Sequence, residues 1–156
     1  MSRQYDQAIE QSRKTLELDP NTSGGHFYLG RGYVQKSMFK EGIAEFEKGL
    51  AISPSDSLTL SGLGCAYAVA GRGAEAQKVL EQLNELSKHK YVPAVDRARI
   101  YAGLGEKDKA FEWLEKSYDD RSIAGVITFV KVDPTFDPLR SDPRFADLLR
   151  RMNLQP

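Results

Sequence analysis

At 156 residues, 40% of them hydrophobic and 28% charged, the chain has the length of one domain and enough apolar surface to bury a core. Its 22 basic residues are matched by 22 acidic ones, which argues against bulk electrostatic binding to nucleic acid or an anionic membrane. The single cysteine excludes an internal disulfide framework, and the longest apolar-leaning run, Ile123 to Val130, is too short to cross a bilayer.

Polar residues Ser2, Arg3, Gln4, Asp6 and Gln7 stand where a secretory apolar core would begin, so a cytoplasmic location is expected. Tyr5 to Leu18 reads as a helix. Residues 23–56 then read as a helix pair: Gly25 to Lys36, with Phe27, Leu29, Tyr33 and Val34 on its apolar side, and Phe39 to Ile52, with Phe39, Ile43, Phe46 and Leu50. Ser37 and Met38 make the turn. Residues 57–90 repeat the pattern as Leu58 to Ala70 and Ala74 to Leu86, joined by Gly71-Arg72-Gly73. Residues 91–122 give Pro93 to Ala102 and Lys107 to Tyr118, joined by Gly103-Leu104-Gly105-Glu106.

These pairs keep a fixed interval. Tyr33, Tyr67 and Tyr101 are 34 residues apart, as are Gly30, Gly64 and Ala98, and Ala8, Gly42, Ala76 and Ala110. Such a period marks an array of like units that bury their apolar faces against one another. The small residues at 30, 64 and 98 are expected to face those at 42, 76 and 110, where helices cross closely. Because alanine recurs at the position of Gly42, Gly42→Ala is expected to stabilise the fold by up to about 1 kcal/mol. Ala8 and Leu16 align with Gly42 and Leu50, so residues 4–22 form a second helix without its first. That helix is expected to expose Ile9, Leu16 and Leu18 and to invite a homodimer.

Beyond Arg121 the period stops. Residues 123–156 carry Asp133-Pro134, Asp137-Pro138 and Asp142-Pro143, each a helix-start signal, with aspartate capping free amides and proline fitting the first turn. One helix is expected over Ile123 to Val130 and a last one over Pro143 to Met152, with Phe145, Leu148, Leu149 and Met152 on one side. This tail reads as a cap for the array.

Leu29-Gly30, Tyr33, Gly42, Phe46, Gly49-Leu50 and Pro54, matched by Leu63-Gly64, Tyr67, Ala76 and Leu80 and later by Ala98, Tyr101, Gly105, Ala110, Leu114 and Ser117, resemble the tetratricopeptide repeat family over about Tyr5 to Asp120. His26, Arg97 and Lys88 depart from its pattern. The resemblance implies an all-α, right-handed superhelical solenoid of antiparallel helix pairs, here a single domain over 1–156 closed by the C-terminal helix. It also implies a concave groove lined by first helices, with Phe27, Arg31, Val34, Gln35, Leu58, Ser61, Cys65, Ala68, Val69, Val95, Arg99 and Ala102 at the lining positions. Sites that grip chaperone C-termini in one subfamily hold Phe27, Arg31, Gly62, Val92 and Asp96 here, so that clamp is not expected. Arg31 and Arg99 are instead expected either to fork onto an acidic side chain of a partner, with Phe27 and Val34 in apolar contact, or to be solvated. The run from Lys131 to Phe145 is similar to tails closing such arrays in multidomain bacterial signalling proteins, which implies a bacterial origin and a C-terminal place in a longer protein.

No enzyme motif accompanies the repeat. Gly62-Leu63-Gly64 and Gly30-Arg31-Gly32 neither follow a strand nor complete a dinucleotide fingerprint, and Gly103-Leu104-Gly105-Glu106-Lys107 lacks phosphate-loop spacing. His26, Cys65 and His89 lie in different units without ligand spacing, so no metal, cofactor or catalytic residue is expected. Cys65 reads as a small buried residue. The expected function is a non-catalytic protein–protein interaction module taking a peptide or partner segment in the groove, with no nucleic-acid or membrane partner. The alternative is a regulatory, sensor or homo-oligomerisation domain of a bacterial kinase, cyclase or transcriptional regulator.

Overall fold

The computed structural model describes residues 2–120 and 130–154. In chain order these form α1 (Ser2–Leu18), α2 (Ser23–Gln35), α3 (Phe39–Ile52), α4 (Ser57–Val69), α5 (Gly73–Leu86), α6 (Ala94–Gly103), α7 (Lys107–Asp119), a 3-10 helix (Pro134–Leu139) and α8 (Pro143–Arg151). No strand occurs among the described residues. α2 packs on α3, α4 on α5 and α6 on α7, while α2, α4 and α6 follow one another along the stack. This is an all-α solenoid of antiparallel helix pairs, and the ends of α1 to α8 lie within three residues of the expected spans.

The pairs are joined by one turn used three times. Ser37, Gly71 and Gly105 take positive φ of 60°, 77° and 75°. Beside each, a backbone N–H reaches back to a tyrosine carbonyl: Met38 to Tyr33 at 2.9 Å, Arg72 to Tyr67 at 2.8 Å and Glu106 to Tyr101 at 3.0 Å. This is the six-to-one bond of a Schellman ending, which satisfies a carbonyl the helix leaves open. The tyrosines therefore sit at a fixed place in each helix end. The first two reach the preceding second helix with their hydroxyls: Arg13 Nη2 donates to the Tyr33 hydroxyl at 2.8 Å, and the Tyr67 hydroxyl donates to Glu47 Oε1 at 3.3 Å.

At the first helix crossing a Cβ on Gly30 would lie 3.1 Å from the Gly42 carbonyl oxygen, and one on Gly42 would lie 3.0 Å from that of Gly30. The same Cβ on Gly42 would stand 2.7 Å from Val34 Cγ2. The stabilisation expected for Gly42→Ala is thus corrected: a β-branched side chain and a backbone oxygen already fill the space.

α1 also differs from expectation. Ile9 is buried, because Gly32 offers no side chain to keep it out, and a Cβ there would lie 2.7 Å from Ile9 Cγ1. Leu16 is half-buried against Gly25 in the same manner, and Leu18 alone of the three is exposed. The outer side of α1 carries exposed Ala8, Gln11 and Thr15, where the equivalent Ala76, Val79 and Leu83 of α5 are buried. The apolar drive expected for a homodimer through this helix is accordingly reduced to Leu18.

Arg97, which stands where the two preceding units have Leu29 and Leu63, is buried and ties two units together. Its Nη2 donates to the Leu83 carbonyl at 3.0 Å, its Nε to Asn84 Oδ1 at 2.8 Å, and its guanidinium lies 4.6 Å from the Trp113 ring centre. His26 is likewise occupied, with Nδ1 2.7 Å from Glu45 Oε2.

Two apolar clusters hold the stack. One joins α2 to α6 through Phe27, Phe46, Leu63, Leu80, Leu83 and Ile100; the other joins α6 and α7 to the tail through Val95, Leu114, Phe136, Leu139, Phe145 and Leu148. Asp133 caps the 3-10 helix by accepting the Thr135 N–H at 3.0 Å, and Asp142 caps α8 by accepting that of Arg144 at 3.0 Å. Asp137 starts no new helix. It lies inside the 3-10 turn and takes Arg140 Nε at 2.6 Å instead. The helix expected over Ile123 to Val130 falls outside the described residues, apart from Val130, which is helical and buried.

Candidate partner groove

α2, α4 and α6 present successive turns to one cavity of about 320 Å³. Phe27, Arg31, Val34 and Gln35 come from α2, Ser61, Cys65 and Val69 from α4, and Arg99 and Ala102 from α6. They meet because first helices stack directly on one another, so positions one unit apart line one wall. Three expected residues do not reach it. Leu58 is exposed in the first turn of α4, Val95 is buried in the cluster shared with the tail, and Ala68 is buried where a Cβ on Gly103 would touch it at 3.1 Å. Ser61 lines the wall but spends its hydroxyl on the Leu58 carbonyl at 2.9 Å.

The remaining wall was not read from the sequence. Ser37, Phe39 and Phe46 close the end near the first turn, Gly62 and Gly103 thin the helices, and Pro134, Thr135 and Pro138 bring the tail across the groove.

The tail also corrects the expected role of the arginines. Arg31 Nη2 donates to Asp133 Oδ1 at 3.0 Å and Arg99 Nε to Asp133 Oδ2 at 3.3 Å, while Arg99 Nη1 donates to Asp96 Oδ1 at 2.8 Å. The carboxylate expected from a partner is supplied by the chain itself. Burial alone would raise the Asp133 pKa, but the charges of Arg31 and Arg99 and the Thr135 N–H outweigh it and hold the group below the usual carboxylate value. Asp96, only 2% exposed, goes the other way: burial pushes it up against the pull of Arg99, and its Oδ2 has no hydrogen-bond partner among the described residues. A signal was available in the sequence. Two arginines on one face of stacked helices need counter-charges, and Asp133 stood in the only segment outside the period.

Cys65 is buried, and burial, with Asp133 adding to it, pushes its thiol up to about 12. Such a thiol stays protonated at neutral pH and is a packing group rather than a nucleophile. Among the described residues no three His, Cys, Asp or Glu side chains gather as a metal site would require, and no helix is long and apolar enough to cross a membrane.

With the period, the shared turn and the stacked pairs established, comparison with known families finds a model described as Tetratricopeptide repeat matching residues 95–119. The unit over residues 95–119 is a tetratricopeptide repeat. The matched stretch is α6 and α7, the unit holding Arg97, so this departure leaves the family signature intact. The chain is also similar to Superkiller protein 3 of Schizosaccharomyces pombe, with 26% identity over 149 residues that cover 92% of this chain. It spans 11% of that protein's length. Tetratricopeptide repeats generally mediate protein–protein interactions.

Proposed function

We propose that the chain is a non-catalytic protein–protein interaction module that takes a segment of a partner polypeptide in the groove built by α2, α4 and α6. The observation that carries this reading is the cavity itself. Its volume of about 320 Å³ lies among apolar side chains of three successive first helices, with Val69 exposed at its edge. Regulation of attached domains through the same groove is the second reading. It is favoured by the 11% share of the relative that the chain spans, the proportion of a module within a longer protein. A bacterial source rests on the likeness of the tail alone, the relative above being from fission yeast.

The test is peptide display selected on the whole chain and rescreened on Val69→Asp and on Lys78→Asp, the latter exposed on α5 outside the cavity. Peptides that bind the wild type and Lys78→Asp but lose Val69→Asp are expected. Peptides indifferent to both substitutions would place binding elsewhere and refute the groove.

A further inference from the structure

The groove holds two cations and its own anion. Asp133 is 4% exposed and bonded by both Arg31 and Arg99, and Arg99 is bonded again by Asp96. An incoming carboxylate would meet a position that a carboxylate already fills, and like charges a few ångströms apart repel strongly where water is largely excluded. The occupant is not loosely held. Phe136 and Leu139, which follow it in the 3-10 helix, are fully buried in the cluster with α6 and α7. The space beside this neutralised floor is walled by Phe27, Val34, Phe39, Val69, Ala102 and Pro138. At about 320 Å³ it is at the small end of ligand sites, enough for a side chain or two and too little for a helix face. On the same lining the side chains of Gln35 and Ser37 carry no hydrogen bond among the described residues, which suits the uncharged amides of a polypeptide backbone.

We propose that the groove selects an uncharged, bulky apolar side chain, leucine- to phenylalanine-sized, on a partner polypeptide, and that Asp133 sets this preference by filling the anion position between Arg31 and Arg99. This rests on the groove reading above and adds the chemistry of the partner. Asp133 is then a specificity-determining residue, and neutralising it deprives Arg31 of its carboxylate and leaves Arg99 paired with Asp96 alone, which opens the position to an acidic ligand.

The test uses capped single residues as probes, N-acetyl-leucinamide, N-acetyl-phenylalaninamide and the α-amide of N-acetyl-aspartic acid with its side-chain carboxylate free, titrated into the ¹⁵N-labelled whole chain. The apolar probes are expected to shift the amides of Val34, Val69, Ala102 and Thr135 saturably, with the aspartate probe at least about tenfold weaker. In Asp133→Asn, whose amide oxygen still caps Thr135, the aspartate probe is expected to gain about tenfold. Asp133→Ser is a second neutral, cap-competent variant should the first not fold, and the wild-type comparison stands without either. An aspartate probe that binds the wild type as well as the apolar ones, or gains nothing in a folded variant, overturns the assignment of Asp133 and leaves the groove a binding site. No shift at these amides with any probe overturns both the assignment and the groove.

Discussion

Val34 and Gly42 exchange size with their equivalents one unit on. Where the first crossing pairs Val34 with Gly42, the later ones pair Ala68 with Ala76 and Ala102 with Ala110. A methyl at Gly42 therefore collides with Val34, and Gly42→Ala is expected to lower stability by about 1–3 kcal/mol in urea unfolding. Adding Val34→Ala recreates the later pairing, so the double substitution is expected to recover much of that loss, whereas additive losses would show the backbone oxygen of Gly30 to be the obstacle. Ser37 makes a complementary case. It holds φ 60° where Gly71 and Gly105 serve its two equivalents, and Ser37→Gly is expected to raise the melting temperature, a gain of up to about 1 kcal/mol. The period made the small residues legible, but it could not say which partner in a crossing carries the bulk, since that depends on two side chains in different helices.

Each helix pair ends and turns by local chemistry, and for that reason the helix spans were legible: apolar spacing, glycine at the turns and Asp56, Asp133 and Asp142 at helix starts all act over a few residues. The joints between units are not local. Arg97 donates to the Leu83 carbonyl of the neighbouring unit, which also accepts the Ser87 N–H, and shares the Trp113 ring with Lys116, so Arg97→Ala is expected to cost about 1–2 kcal/mol through two lost buried hydrogen bonds and one of two cations on the ring, and Trp113 fluorescence should report the change. The tail is fastened in a comparable way by Asp133. Its folded pKa is depressed, so its stabilisation is complete above the ordinary carboxylate value of 3.8 and is lost as pH falls through the lower folded value. Asp96, whose pKa is raised, contributes the opposite sign: its charged form is disfavoured in the fold, and protonation on acidification relieves that cost. Melting temperature against pH is therefore expected to fall more steeply below pH 3.8 in the wild type than in Asp133→Asn. Parallel curves would remove Asp133 from the acid response.

At the scale of the molecule, two clusters share Tyr101, and the second is completed only by residues from beyond the period. The tail is thus both the end of the stack and one wall of the groove. The all-α array could be read from residue spacing, and most of the first-helix lining from the family resemblance. The crossing of the tail over that lining could not, because the contact between Arg31 and Asp133 joins residues 102 positions apart and depends on how far the stack turns between them. This segment belongs to the folded stack, with its carboxylate fixed in the groove. Native-state hydrogen exchange tests it most directly at the amides of Thr135 and Phe136, which are bonded to the Asp133 side chain and carbonyl. They are expected to exchange as slowly as the amides of α6, through the same cooperative opening; exchange at the rate of a free peptide while α6 stays protected would show the tail to be detached from the stack.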